Sequence, residues 1–322
     1  MWKRIRKIVP LLYGIYLLAL RFVLEPLSDT NWLIYILVHD LRLFQIPFCL
    51  LIALICIKNR GLLLTWIALA LMTVGLIGHP AWGSRPASTP TKSLKILTYN
   101  VANFGVDKSG VMKVIKESNA DIICLQEACA IGYVGQAGRA LSKELKGYYW
   151  TGASTNMILS RYPLKAERPL NVPTKWPTKE FPVAVVDSPL GKVRVMCVHM
   201  EPDWNAGWPP ELHNLTGVLS KVCVDRQAQI DLILASLRPA KEPTLLVGDF
   251  NGPAGSEAIV RIGEFFTDSY ATTEKGLGNT ILAKLPFKRI DYVWCRGLVP
   301  VQTDVLDSLA SDHRAVLTVV SR

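Results

Sequence analysis

The sequence predicts an α/β or α+β domain carried behind an apolar amino-terminal segment of about three transmembrane helices. Three observations predict it. Mean hydropathy is +0.26 although 19% of the residues are charged, so the apolar excess must be concentrated in one part of the chain. Residues 1–92 hold 10 Lys/Arg against 3 Asp/Glu, a net +7, whereas residues 93–322 hold 26 against 23, a net +3. From Leu94 onward, strand-like and helix-like stretches alternate, and polar residues recur where the strands end.

Lys3, Arg4, Arg6 and Lys7 precede a first apolar run over 8–20, which continues through Arg21 to Leu27. No small-x-small cleavage site follows it, which disfavours a cleaved signal peptide. A second run over 43–57 is interrupted only by Gln45 and Pro47, and Lys58-Asn59-Arg60-Gly61 separates it from a third over 62–78. Both lie near the lower limit for crossing a bilayer, about 17 residues. Residues 32–38 either extend the second span or rest at the interface. Lys/Arg bias places the amino terminus and the 58–60 loop in the cytoplasm, so three crossings put everything after Gly78 outside a plasma or inner membrane. The expected division is an anchor at 1–78, an extended Pro/Ser/Thr/Gly-rich tether at 79–93, and one large domain at 94–322.

Within the domain, strands are expected at 95–100, 121–126 and 156–160, with helices at 110–118 and 139–145. A hairpin joins 181–187 to 192–199 through Ser188-Pro189-Leu190-Gly191. A helix follows at 225–237 with Asp225 as a possible N-cap, then a short helix at 256–262. Strands at 289–295, 299–305 and 313–320 close the chain. The stretch Thr244-Leu-Leu-Val-Gly-Asp-Phe-Asn-Gly-Pro253 is the most informative. A buried run ends in turn formers, and Asp249 and Asn251, two apart on extended backbone, project to one side. One can accept a proton and the other donate to an oxyanion, although an ordinary Asp/Asn turn has the same spelling.

Asn100, Glu127, His199, Asp249 with Asn251, Asp291 and Asp312-His313 all fall at or beside strand ends. Each alone reads as a turn residue or a solvated charge; their joint occurrence in this order resembles the endonuclease/exonuclease/phosphatase superfamily. The pieces that carry the likeness are Leu97-Thr-Tyr-Asn-Val101, Asp121-Ile-Ile-Cys-Leu-Gln-Glu127, Ser160-Arg-Tyr-Pro-Leu164, Val198-His-Met200, Val247-Gly-Asp-Phe-Asn251, Arg289-Ile-Asp-Tyr292 and Ser311-Asp-His-Arg314. They cover essentially all of 94–320.

The resemblance implies a four-layer α/β/β/α sandwich of two mixed sheets with the site where strand ends converge. It implies Glu127 as principal ligand of a divalent cation, Mg²⁺ or Mn²⁺, with Asn100 and Asp312 nearby; hard oxygen donors suit such an ion. His313, held by Asp291, would be a base or a phosphate-oxygen donor, and His199 on the other side an acid or donor. Asp249 would orient or deprotonate the attacking water, and Asn251 would hold a phosphate oxygen. Phosphoester hydrolysis needs these parts: charge neutralisation, an activated water and help for the leaving oxygen. The plain alternative for Asp291 is a salt bridge with Arg289.

Several features bear on substrate and partners. Residues 201–224 carry Trp204, Trp208, Pro209, Pro210 and His213 and a single basic residue, Lys221, against Glu201, Asp203 and Glu211, a composition suited to an apolar substrate or the bilayer interface. Arg226 either reaches a substrate phosphate or makes a helix-surface salt bridge. The near-neutral domain weakens the case for a generic nucleic-acid surface. No Cys/His spacing suggests zinc and no pattern supports a cysteine nucleophile; Cys129 and Cys223, expected in loops, form a candidate disulfide. The expected function is metal-dependent hydrolysis of a phosphoester or pyrophosphate on a lipid-linked substrate at the outer membrane surface. A membrane-anchored extracytoplasmic nuclease is the alternative, and a non-catalytic binding module is weaker because the whole polar set is present. Anchored bacterial members of the superfamily with this layout are associated with glycopeptide resistance.

Overall fold

The computed structural model describes residues 2–87, 90–174, 179–202 and 215–322. Among them, twelve strands build two six-stranded sheets: β1 (Leu94–Asn100), β2 (Ile122–Gln126), β3 (Tyr149–Ala153), β4 (Asn156–Ser160), β5 (Leu164–Ala166), β6 (Val183–Ser188), β7 (Gly191–His199), β8 (Thr244–Asp249), β9 (Thr267–Asp268), β10 (Asp291–Arg296), β11 (Val299–Val305) and β12 (Val316–Ser321). The first sheet runs β11-β12-β1-β2-β4-β3 and the second β9-β10-β8-β7-β6-β5. Each has one parallel pair at its centre, β1 with β2 and β7 with β8, and antiparallel neighbours elsewhere. Both sheets are therefore mixed.

The sheets pack face to face through one apolar core, in which Leu94, Ile96, Ile122 and Ile158 meet Val193, Val195, Leu245 and Val293. Central strands buried on both faces read as continuous apolar runs, which is why 244–247 lacks alternation. A second core joins the second sheet to the helices Leu215–Leu237 and Glu257–Gly263, and a third joins the first sheet to Lys108–Ser118 and Val134–Glu144. The result is the expected α/β/β/α sandwich.

One element boundary and one expected covalent link differ from expectation. The helix expected from Asp225 begins at Leu215, so Asp225 is interior to it; its carboxylate meets Lys221 Nζ at 2.6 Å, an i,i+4 pair in place of a cap. The Trp/Pro stretch with Trp204, Trp208, Pro209, Pro210 and His213 lies outside the described residues. The expected Cys129–Cys223 disulfide is absent. Cys129 is a free thiol in the core over the first sheet, whereas Cys223 is on the helix that covers the second.

The amino-terminal segment folds into helices that pack on one another through Leu17, Leu20, Cys49 and Trp66. Among the described residues one helix, Ile8–Ser28, is long and apolar enough to cross a membrane; Gln45–Ile55 and Arg60–Leu76 are apolar but shorter. These helices expose Leu12, Phe22, Leu54, Leu64 and Leu71 on their outer faces. The segment after them is extended but docked: Ala81–Trp82 pairs with Lys275–Gly276, and Arg85 bonds Glu274 and Asp304.

Candidate active site

Gly248 sets the geometry at the centre. Its φ is +144°, and a Cβ built on it would stand 2.0 Å from the carbonyl oxygen of Val198 on the neighbouring strand. Only glycine permits that approach. The close pairing of β7 and β8 puts His199 directly opposite Asp249, and the antiparallel pairing of β8 and β10 puts Asp249 opposite Asp291. In the other sheet Asn100 pairs with Gln126, which places Glu127 one residue beyond the strand.

These ends meet. Asn100 Nδ2 lies 3.1 Å from both Glu127 Oε1 and Asp249 Oδ2, so one carboxamide ties the two sheets together at the site. Asp249 stands between the imidazoles: His199 Nε2 and His313 Nε2 are each 3.8 Å from its Oδ2. His199 Nε2 is also 3.7 Å from Glu127 Oε1. His313 Nδ1 is 2.9 Å from Asp291 Oδ2, both side chains being buried. Arg289 donates to Asp268 at 2.6 Å, so the alternative Asp291–Arg289 salt bridge does not form.

Two of the predicted site residues sit in left-handed backbone, Glu127 at φ +49° and Asn251 at φ +48°. A non-glycine residue there costs of order 1 kcal/mol or more and persists because its surroundings hold it. The Asn251 amide N donates to Asp249 Oδ1 at 2.9 Å, and its Nδ2 donates to the carbonyl of Met200 at 3.0 Å. One amide proton is thus committed to the scaffold and the other faces no recorded partner among the described residues.

Burial and charge divide the titrating groups. Burial opposes a charge on His313, but Asp291 and Asp249 outweigh it and push its pKa up to about 10. Burial, then Lys179 and His313, hold His199 well below its ordinary value. Burial, with the charge of Asp291 added, pushes Asp249 up to about 7. Near neutral pH the arrangement therefore offers an imidazolium at 313, a neutral imidazole at 199 and a carboxyl poised to exchange its proton at 249.

Asp249, Asp291 and His313 each present a ligand atom within 4.8 Å of the others, a cluster able to hold a metal ion. Glu127 adds a half-buried carboxylate whose hydrogen bonds come from the amides of Asn100 and Asn103. Asp249 and Asp291 within that distance, Glu127 joined to Asp249 through Asn100, and a buried oxygen of Asp291 without a hydrogen-bond partner among the described residues fit a hard divalent cation. Glu127, with Asn100 beside it, would hold it, where it would neutralise charge on a phosphoryl oxygen, and Asp249 stays available as a base.

The structure brings together Asn100, Glu127, His199, Asp249, Asn251, Asp291 and His313. Asp312 is exposed at the edge, linked to the Asn100 carbonyl through Ser311, whose Oγ donates to both. Arg226 is not at the site surface. It is mid-helix and 1% exposed, its Nε donating to the Glu201 carbonyl at 3.2 Å and its Nη1 to Tyr35 Oη at 3.1 Å. Direct substrate contact by Arg226 is therefore replaced by a supporting role behind the strand end. The helix starting ten residues earlier than expected is the reason.

Sequence reasoning missed Lys179. Its Nζ donates to the Met200 carbonyl and to Glu201 Oε2, and burial depresses its pKa. The Met200 carbonyl thus accepts from both Lys179 and Asn251. A lysine opening the short strand Lys179–Phe181, just ahead of the apolar run over 182–186, is the only sequence signal. Asn103, which bonds Glu127 from left-handed backbone, carried none.

Among solved structures, an endonuclease/exonuclease/phosphatase from Beutenbergia cavernae matches at 22% identity and TM-score 0.51, with 71% of each chain covered. A mannosyl-6-phosphatase from Bacteroides thetaiotaomicron matches at 15% identity and TM-score 0.52, over 71% of this chain and all of that one. TDP2 from D. rerio, complexed with a single-strand DNA product, matches at 16% and 0.52, over 72% and 100%. At these identities the likeness shows the fold alone. No curated protein sequence matches the chain significantly. Residues 97–313, two thirds of the chain, match the Endonuclease/Exonuclease/phosphatase family model, and the chain belongs to that family, whose members cleave phosphoester bonds.

Proposed function

We propose that the chain is a divalent-metal-dependent phosphoesterase that hydrolyses a phosphoester or pyrophosphate on a membrane-lipid-linked substrate outside the cytoplasm. The observation that carries the reaction class is the buried Asp249 flanked by His199 and His313, with Glu127 and Asn100 alongside. In this reading Asp249 takes the proton of the attacking water and the imidazolium of His313 donates to a phosphoryl oxygen. His199, beside Asp249 on the opposite side, passes on to the leaving oxygen the proton that Asp249 takes, and Asn251 orients an oxygen through its remaining amide proton. A bound Mg²⁺ or Mn²⁺ would supply Lewis-acid charge neutralisation.

The membrane half of the reading rests on the amino-terminal helices. Their exposed leucines and phenylalanine form an apolar exterior of the kind that marks a membrane or partner contact. Glu25, near the end of the first apolar helix, Tyr35, which follows it, and His79, which follows the last, all meet the catalytic domain or one another: Glu25 bonds His79, and Tyr35 bonds Arg226. Three crossings from a cytoplasmic terminus would put those segments on one face of the membrane, together with the domain. A lipid substrate confined to that surface would gain effective concentration from the anchoring.

The nuclease alternative has less behind it, since the domain carries a net +3 over 230 or so residues and nucleic-acid grips are strongly basic. A screen of the detergent-solubilised chain with Mg²⁺ against phospholipids, polyprenyl pyrophosphates, inositol phosphates and DNA separates the two. Faster release of phosphate from lipid substrates supports the proposal; faster cleavage of DNA replaces it with the nuclease.

A further inference from the structure

Residues 277–288 connect three parts of the molecule that the catalytic account treats separately. At one end, a Cβ built on Gly78, which caps the last apolar helix, would come within 3.1 Å of Leu277 Cδ2. At the other, Lys288 Nζ stands 5.8 Å from the ring centroid of Tyr35, which follows the first apolar helix. Both ends of the segment thus lie against the ends of the amino-terminal helices. Its middle lies against the catalytic pair. Ile281 bridges to His313, the Ala283 amide donates to the Asp312 carbonyl at 2.8 Å, and the Thr280 hydroxyl accepts from the Asp291 amide at 3.3 Å.

What this segment shows to solvent is unusual. Leu285 is 79% exposed and Leu282 52% exposed, Leu282 in left-handed backbone at φ +59°. Lys284 between them is exposed as well. From Lys275 to Ile290 the chain carries Lys275, Lys284, Lys288 and Arg289 and no acidic residue. Exposed Leu282 and Leu285 beside the exposed Lys284, with the exposed Lys275 on the same stretch, match the composition of a surface that dips into the headgroup and acyl boundary of an anionic bilayer. Position and composition agree.

We propose that residues 277–288 form a membrane-contacting lip: Leu282 and Leu285 enter the acyl boundary of an anionic bilayer, Lys284 lies at the lipid phosphates, and the site beside His313 is held at headgroup depth. The inference rests on the reading of the amino-terminal helices as a membrane anchor. It is a contact distinct from the anchor itself, because it fixes the height and tilt of the catalytic mouth and not merely its distance from the membrane. The short links from Thr280, Ile281 and Ala283 to the residues around Asp291 and His313 make the lip and the site one rigid body.

The test uses the full chain with the half-buried Cys56 replaced by Ser, reconstituted in vesicles of phosphatidylglycerol and phosphatidylethanolamine. Single cysteines at Leu285→Cys, Leu282→Cys, Leu54→Cys and Lys192→Cys carry a nitroxide, and collision with oxygen is compared with collision with a water-soluble nickel chelate. Lys192 lies at the opposite end of the strand that finishes at His199 and serves as the water reference. The lip predicts oxygen-dominated collision at 285 and 282, as at 54, with the nickel chelate dominating at 192. If 54 is in lipid but 285 and 282 behave like 192, the lip is wrong and the anchor stands. If 54 also behaves like 192, anchor and lip fall together. Leu282→Asn with Leu285→Asn provides the second reading: hydrolysis of a long-chain lipid phosphate in vesicles should fall at least tenfold relative to a short-chain soluble phosphate. An unchanged ratio overturns the proposal.

Discussion

Asp291 Oδ2 lies 2.9 Å from His313 Nδ1, on the ring edge away from Asp249, so one imidazole joins two carboxylates within the buried centre of the site. The pair determines which protonation state of His313 the fold holds.

The pH profile of kcat/KM should be bell-shaped. It rises as Asp249 loses its proton near pH 7 and falls as His313 loses its own near pH 10. Asp291→Asn removes the larger of the two anionic contributions that raise His313, so the alkaline limb should move to lower pH. The sign extends to stability. A histidine with a folded pKa above its free value of about 6.5 contributes stability fully present below that pH and lost on approach to pH 10. Asp291→Asn should therefore cost more at pH 6 than at pH 11, as read by thermal unfolding.

Gly248→Ala should destabilise the domain by about 3 kcal/mol, since the added methyl must displace the Val198 carbonyl and adopt a forbidden φ. Denaturant midpoints of the full chain in detergent measure it. A cost under about 0.5 kcal/mol would mean that β7 and β8 are not so closely paired.

Tyr35→Phe deletes the hydroxyl that Arg226 bonds while keeping the ring over which Arg226 and Lys288 sit. We expect a loss of about 1 kcal/mol for Phe and more for Ala, because only Ala also removes the ring contacts. Equal behaviour of the two variants in thermal unfolding would show that the aromatic face does not matter.

On the proposed topology of three crossings from a basic amino terminus, alkaline phosphatase fused after Arg322 should be active and a cytoplasmic reporter there dark. The opposite pattern places the domain in the cytoplasm and removes the outer-surface substrate.

The sandwich was legible because both halves of it repeat one simple signal, an apolar strand that stops at a polar residue. Thr244–Asp249 and Ile122–Gln126 are buried along their full length, and the polar residues at and after their ends are the ones the site uses. Less legible was anything set by pairing between distant strands. That Asp249 would stand between two histidines follows from the register of β7, β8 and β10, which local sequence does not encode. Arg226 was misplaced because Asp225 reads locally as a cap, whereas the helix carries both residues in its interior and buries Arg226 against Glu201 and Tyr35, which are distant in sequence. Lys179 was invisible for a related reason: its partners, Met200 and Glu201, lie some twenty residues away.

The central claim is tested most directly by phosphate release from a lipid phosphate or pyrophosphate, with the full chain in vesicles, with and without Mg²⁺. The account predicts release that EDTA abolishes and Mg²⁺ restores. Glu127→Ala and Asp249→Ala should each lower it by about a thousandfold or more while thermal unfolding shows an intact fold. Full activity in either variant, or release indifferent to EDTA, would contradict it.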